Sequence, residues 1–129
     1  MKGEAINVLL VDDEVTLANT LAQRLQMRNL TVGTAYDGAE ALAKLSIDKP
    51  DVIVLDLSMP GMHGMDVLRE IKKASPDIQV IILTGHGTDK DEEEAKKLGG
   101  FDFLKKPADI ETLAHKITAA FKEKRARAL

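Results

Sequence analysis

Apolar residues along the chain gather in short runs, Ile6 to Val11, Thr31 to Ala35, Val52 to Leu55, Ile78 to Leu83 and Phe101 to Leu104, with longer amphipathic stretches between them. Several runs are rich in Val, Ile and Leu and lack polar alternation, as expected of parallel strands covered on both faces. The stretches between and after them carry helical periodicity. Leu17, Leu21 and Leu25 recur at steps of four, Met65, Leu68 and Ile71 form a second stripe, and Ile110, Leu113, Ile117 and Ala120 a third. The segment Thr88 to Leu98 has only Ala95 and Leu98 as apolar anchors. Its Asp91 to Glu94 suit a helix N-terminus and Lys96-Lys97 a C-terminus, so it is expected to be the weakest helix, held by charge more than by packing. Asp37-Gly38, Ser75-Pro76 and Gly99-Gly100 supply the breaks. Five strands alternating with five helices predict an α/β fold, a doubly wound parallel sheet with helices on both faces.

The strand ends carry the polar chemistry. Asp12 and Asp13 follow the first strand, Asp56 the third, Thr84 the fourth and Lys106 the fifth, whereas the second ends at Ala35-Tyr36 without a comparable group. An outer position for strand two satisfies that asymmetry. The flavodoxin-like order 2-1-3-4-5 has it, and it places the crevice between strands one and three, where Asp12, Asp13 and Asp56 would meet.

Each of these residues has an ordinary reading when taken singly: Asp12 and Asp13 as a helix cap, Thr84 as a strand end, Lys106 as a solvated cation. Together they describe a site. Two carboxylates 4 Å apart repel by about 4 kcal/mol at an effective dielectric near 20, so three of them call for a cation. Three ionised acids against one Lys106 ammonium leave two negative charges, which one divalent cation neutralises. An all-oxygen, solvent-facing set suits Mg2+ better than zinc, and His63, His86 and His115 lack zinc-ligand spacing. A strand-end Asp can also attack phosphorus to give an acyl phosphate, with a hydroxyl and an ammonium balancing its charge. Asp56, delivered by Asp51-Val52-Ile53-Val54-Leu55 and followed by the Met59-Pro60-Gly61 turn, is that candidate.

The chain resembles a response-regulator receiver domain, the phosphoacceptor module of two-component signalling, over roughly residues 5 to 122. The resemblance rests on Val8-Leu9-Leu10-Val11-Asp12-Asp13-Glu14, Leu55-Asp56-Leu57-Ser58-Met59-Pro60-Gly61, Ile82-Leu83-Thr84-Gly85-His86-Gly87 and Phe103-Leu104-Lys105-Lys106-Pro107. It implies that Asp56 accepts the phosphoryl group from a histidine kinase or phosphotransfer protein. It further implies that Asp13 ligates Mg2+ directly, Asp12 acts mostly through water, and the Ser58 backbone carbonyl completes the protein ligands. Thr84 and Lys106 would each hold a phosphoryl oxygen, and the Lys106-Pro107 peptide would be cis. On activation Thr84 would move toward the phosphate and Phe103 follow it inward, altering the face of helix four, strand five and helix five that controls a partner. Two positions depart from the family pattern: His63 stands where an acid is frequent, and Ala108 where an aromatic often follows the proline. Ser58 and His86, each two residues past a site residue, are expected to set how readily water reaches the phosphoryl group.

The bulk properties set the remaining expectations. A chain of 129 residues is read as one receiver domain, 1–129, with residues 123–129 a solvated helix end or a linker remnant toward a missing output domain. The absence of Cys, and of any apolar run near the roughly 20 residues that span a bilayer, points to a cytoplasmic protein without membrane contact. A net charge of -3 and a pI near 5.6 disfavour direct nucleic-acid binding. The expected output is a downstream protein or output domain, with a phosphorylation-dependent homodimer left open. The chain is expected to have no enzymatic activity beyond its own phosphorylation and autodephosphorylation. Two alternatives remain: a haloacid-dehalogenase-like phosphohydrolase, which generally needs a second Asp where Ser58 stands, and a receiver-like scaffold that never accepts phosphate, against which the complete residue set argues.

Overall fold

The computed structural model describes residues 5–59 and 61–128. Its elements alternate as the apolar runs predict: β1 (Ile6–Val11), α1 (Val15–Gln26), β2 (Leu30–Ala35), α2 (Gly38–Leu45), β3 (Val52–Leu55), α3 (Gly64–Ala74), β4 (Gln79–Thr84), α4 (Asp89–Lys97), β5 (Asp102–Lys105) and α5 (Ile110–Ala128). The strands form one five-stranded sheet in the order β2-β1-β3-β4-β5, and every pairing is parallel. The predicted doubly wound architecture and strand order are what the chain adopts.

Alternate residues of each central strand feed opposite faces. Leu9, Val11, Ile53, Leu55, Val80 and Ile82 pack under α2, α3 and α4 with Val67, Leu68 and Ile71. Val8, Leu10, Val52, Val54, Ile81 and Leu83 pack under α1 and α5 with Leu25, Leu113 and Ile117. β3 is buried along its whole length, which explains its unbroken apolar run.

Three details differ from the sequence pattern. β4 and β5 each start and end one residue later than their apolar runs, because the parallel ladder recruits Gln79, Thr84, Asp102 and Lys105 for backbone pairing regardless of polarity. The buried stripe of α1 is Ala18, Ala22 and Leu25, with Leu21 only partly buried; the small alanines face the core and Leu17 is displaced to its margin. α5 continues to Ala128, and Lys124 is not a solvated tail residue. Its Nζ donates to Asp51 Oδ1 at 2.7 Å, with only about a fifth of either side chain exposed.

α4 is as thinly anchored as its sequence suggests: Ala95 is its one buried residue and Leu98, at its C-cap, is partly buried. A reciprocal capping box, Thr88 Oγ1 accepting from Asp91 N–H and Asp91 Oδ2 from Thr88 N–H, fixes its start. A Glu92–Lys96 ion pair of 3.2 Å spans one turn. Such an exposed pair adds at most about 0.5 kcal/mol.

Candidate functional site

Sheet register assembles the site. Val11 of β1 is paired with Leu55 of β3, so Asp12 and Asp56, each one residue further on, emerge side by side at the carboxyl edge. Thr84 is paired with Lys105 at the end of the β4–β5 ladder, which places Lys106 one step past it. Backbone bonds continue the alignment beyond the strands: Asp56 N–H donates to Val11 carbonyl at 3.0 Å and Lys106 N–H to Thr84 carbonyl at 2.9 Å. The Lys106-Pro107 peptide is cis, as the sequence motif implies.

Asp12, Asp13 and Asp56 each offer a carboxylate oxygen, and these oxygens lie within 4.8 Å of one another. Asp12 and Asp56 are buried while Asp13 is partly exposed. Lys106 Nζ sits among the acids, 2.6 Å from Asp12 Oδ2 and 3.5 Å from Asp56 Oδ2. A cleft of about 230 Å³, bounded among others by Asp13, Asp56, Ser58, His86 and Lys106, opens the cluster to solvent. Asp12 and Thr84 lie behind this lining. Thr84 is fully buried and its Oγ1 accepts from His86 N–H at 3.4 Å.

Local turns aim these groups. Asp12 Oδ1 accepts from Glu14 N–H at 2.9 Å and Asp56 Oδ1 from Ser58 N–H at 3.1 Å, each a carboxylate bonding the amide two residues on. The helix-cap reading of Asp12 and Asp13 does not apply, because α1 has Glu14 at its N-cap and no side chain bonds its first turn. On the far side, α3 presses against the chain just past Asp56. A Cβ on Gly64 would lie 2.4 Å from Leu57 Cα and 2.8 Å from Asp56 carbonyl oxygen, so only glycine permits that approach. His63, the departure from the family pattern, caps the same helix: its Nδ1 accepts from Met65 N–H at 3.1 Å.

The electrostatics follow from burial and crowding. Desolvation pushes the Asp12 carboxyl above the usual carboxylate range, only partly offset by its hydrogen bonds from Lys106 and the Glu14 amide. Burial of Lys106 works against its charge, but the Asp12 hydrogen bond and the charges of Asp56 and Asp12 outweigh it and hold the ammonium above the ordinary lysine value. All the clustered donors are oxygens, two of them withdrawn from water beside an open cleft. That set fits a hard divalent cation that keeps some of its own waters, and does not fit zinc.

Of the residues assigned a site role on sequence grounds, Asp13, Asp56, Ser58, His86 and Lys106 border the cleft and Asp12 and Thr84 lie directly behind it, whereas Phe103 is not part of the lining. Phe103, on β5, is 8 % exposed and lies over Gly87, where a Cβ would come within 2.4 Å of its Cζ and 2.9 Å of Thr84 Cγ2. Sequence reasoning missed one contributor. Glu14 Oε1 accepts from Lys106 Nζ at 3.2 Å across a separation of 92 residues, a contact that no local pattern announces.

The Response regulator receiver domain family matches residues 8–118. The probable transcriptional regulatory protein TcrX of Mycobacterium tuberculosis is 35 % identical over 91 % of this chain and 50 % of its own length. The transcriptional regulatory protein GlrR of Escherichia coli K12 is 40 % identical over 95 % of this chain and 28 % of its own. Among solved structures, a response regulator receiver domain protein from Clostridium thermocellum superposes with a TM-score of 0.88 at 36 % identity, covering 94 % of this chain and 98 % of that one. The CheY-like receiver domain protein of Methanospirillum hungatei JF-1 reaches 0.91 at 24 % identity over 95 % and 98 %, a likeness of fold. Sheet order and acidic crevice thus define a phosphoacceptor module. The chain belongs to the response regulator receiver domain family and is a phosphoacceptor switch of two-component signalling. The comparisons give no support to the phosphohydrolase alternative. The chain spans half or less of the length of these two curated relatives. No helix among the described residues is long and apolar enough to cross a membrane.

Proposed function

We propose that Asp56 is the phosphoacceptor, and that Asp12, Asp13, Thr84 and Lys106 serve it in the roles the family motif implies. A carboxylate oxygen of Asp56 attacks the phosphorus of a phosphohistidine on a sensor kinase or phosphotransfer protein. The new P–O bond forms as the P–N bond breaks, and the imidazole nitrogen leaves with the electron pair. Lys106, already 3.5 Å from Asp56 Oδ2, pairs with one phosphoryl oxygen, and the Thr84 hydroxyl donates to another. Mg2+ held by Asp12, Asp13, Asp56 and the Ser58 carbonyl would neutralise the clustered acids and draw charge from the phosphoryl oxygens. Ser58 and His86 flank the cleft and govern the approach of the water that later hydrolyses the acyl phosphate.

Because Phe103 is already seated over Gly87, phosphorylation fixes this packing rather than creating it. Drawing the Thr84 hydroxyl forward alters the floor under the ring and biases the weakly anchored α4 against β5 and α5. That face is the output surface, read by an output domain or a separate protein, in a cytoplasmic pathway of the kind the transcriptional regulators among its relatives suggest. The whole chain, 1–129, acts as one receiver unit.

The observation that carries this reading is the convergence of three carboxylates and Lys106 at register-aligned strand ends. Intact-mass analysis after incubation with acetyl phosphate and Mg2+ tests it. A gain of about 80 Da, one phosphoryl unit, is expected for the native chain and absent from Asp56→Asn. An equal gain in that variant would move the phosphoacceptor elsewhere.

A further inference from the structure

The ammonium of Lys106 has three N–H donors and no acceptor, and three carboxylates surround it. Asp12 Oδ2 lies at 2.6 Å, Glu14 Oε1 at 3.2 Å and Asp56 Oδ2 at 3.5 Å. The first two are hydrogen bonds and the third an ion pair, so a phosphoryl oxygen that pairs with Lys106 competes with these acids for its three N–H donors. Asp12 is poorly placed to leave, being buried and tied through its other oxygen to the Glu14 amide. Asp56 is the acceptor itself. Glu14 differs from both: its side chain is 63 % exposed, so its carboxylate can swing into water without a desolvation cost. It also has no other structural task in its own helix. Glu14 is the N-cap of α1 and makes no side-chain cap bond, as its length would lead one to expect, so its carboxylate is left to Lys106.

We infer that Glu14 is a placeholder on Lys106, a positioning residue that occupies the donor later taken by the phosphoryl group and so opposes phosphorylation until it is displaced. The inference rests on the phosphoacceptor reading of Asp56 and adds a brake to it. Glu14 acts in two ways at once. It holds the ammonium among the acids, and it adds a fourth negative charge at the mouth that an anionic donor must enter.

Two variants separate these effects. Glu14→Ala removes contact and charge; Glu14→Asp keeps the charge but, one methylene shorter, does not reach Lys106. Neither forfeits a helix cap. Phosphorylation by acetyl phosphate at saturating Mg2+ is followed by intact mass, and the Lys106 side-chain ammonium by NMR in magnesium-free protein. Both variants are expected to phosphorylate faster, on the order of two- to fivefold, the factor an exposed ion pair is worth. Both are also expected to shift the Lys106 resonance.

Variants that match the native rate, or fall below it, overturn the inference. A faster Glu14→Ala with an unchanged Glu14→Asp also overturns it, since bulk charge would then suffice. An unshifted Lys106 resonance in both variants shows that the contact is not held in solution and overturns it too. A native chain that gains no mass at all removes the phosphoacceptor reading, and the inference with it. A native chain that gains the mass, with variants indistinguishable from it, removes the inference alone.

Discussion

The two ends of the sheet hold similar ingredients in different proportions. At the amino edge, Asp51 accepts from Asn7 N–H at 2.9 Å through Oδ2 and from Lys124 Nζ at 2.7 Å through Oδ1, so one acid meets one cation and one amide. At the carboxyl edge, Asp12, Asp56 and Glu14 gather around Lys106, the one cation paired with them among the described residues, and Asp13 adds a further carboxylate beside Asp12 and Asp56. The first arrangement is locally neutral. It ties the last turns of α5 to the starts of β1 and β3 and asks for nothing further. The second is short of positive charge and opens to solvent through a cleft. A lysine beside a buried aspartate therefore says little about function. The imbalance between acids and cations, and the access of solvent to it, separates a brace from a binding site.

The contrast predicts opposite signs for removing a carboxylate at each end. Asp51→Ala leaves Lys124 and the Asn7 amide without their acceptor and should lower stability by about 2 kcal/mol, the worth of hydrogen bonds to a charged group, measured as a shift in the urea midpoint. Asp13→Asn should do the reverse when metal is chelated. Among the described residues no hydrogen bond or ion pair involves Asp13, so its loss only relieves repulsion, and the expected gain is about 1 kcal/mol. A destabilised Asp13→Asn protein in chelator would break the comparison.

A smaller effect comes from Asp102, on β5, whose carboxylate is 2.8 Å from Lys116 Nζ of α5. Its partial burial opposes ionisation, but the Lys116 hydrogen bond, the Phe103 amide and nearby lysine charge prevail and hold its carboxyl below the usual carboxylate range. An acid with a depressed folded pKa adds stability that is fully present above its unfolded value and is lost as pH falls through the folded one. Asp102→Asn should thus cost under about 1 kcal/mol at pH 7, and the difference from the native chain should shrink below pH 4. Urea midpoints across pH 3–7 measure this, and a difference independent of pH would place the effect in packing.

Much of the molecule was legible from sequence where one signal governs. Unbroken apolar runs specified the buried parallel strands, and the polar residues at their ends specified the crevice, because strand order and register bring those ends together whatever lies between. Where two signals compete, the pattern misled. The leucines of α1 outweighed Ala18 and Ala22 on any hydrophobicity count, yet the small residues face the sheet where α1 packs. The ladder, not apolarity, set the limits of β4 and β5. Long-range ion pairs were invisible: Lys124 reads as one more cation in a basic tail, and Glu14 as the acid after an Asp pair, until the fold sets them beside Asp51 and Lys106. The turn at Met59-Pro60-Gly61 includes Pro60, which lies outside the described residues; Gly61 there has a φ of 81°.

The central claim is that the carboxyl edge carries a charge deficit completed by a divalent cation, and the coupling of Mg2+ to folding tests it most directly. Binding to the folded chain alone raises stability with the logarithm of concentration, by about 2.7 kcal/mol at one hundred times the dissociation constant. The native urea midpoint should rise with Mg2+ along that curve, while Asp13→Asn, more stable in chelator, should gain little. Midpoints that rise equally in both proteins, or in neither, would contradict the account.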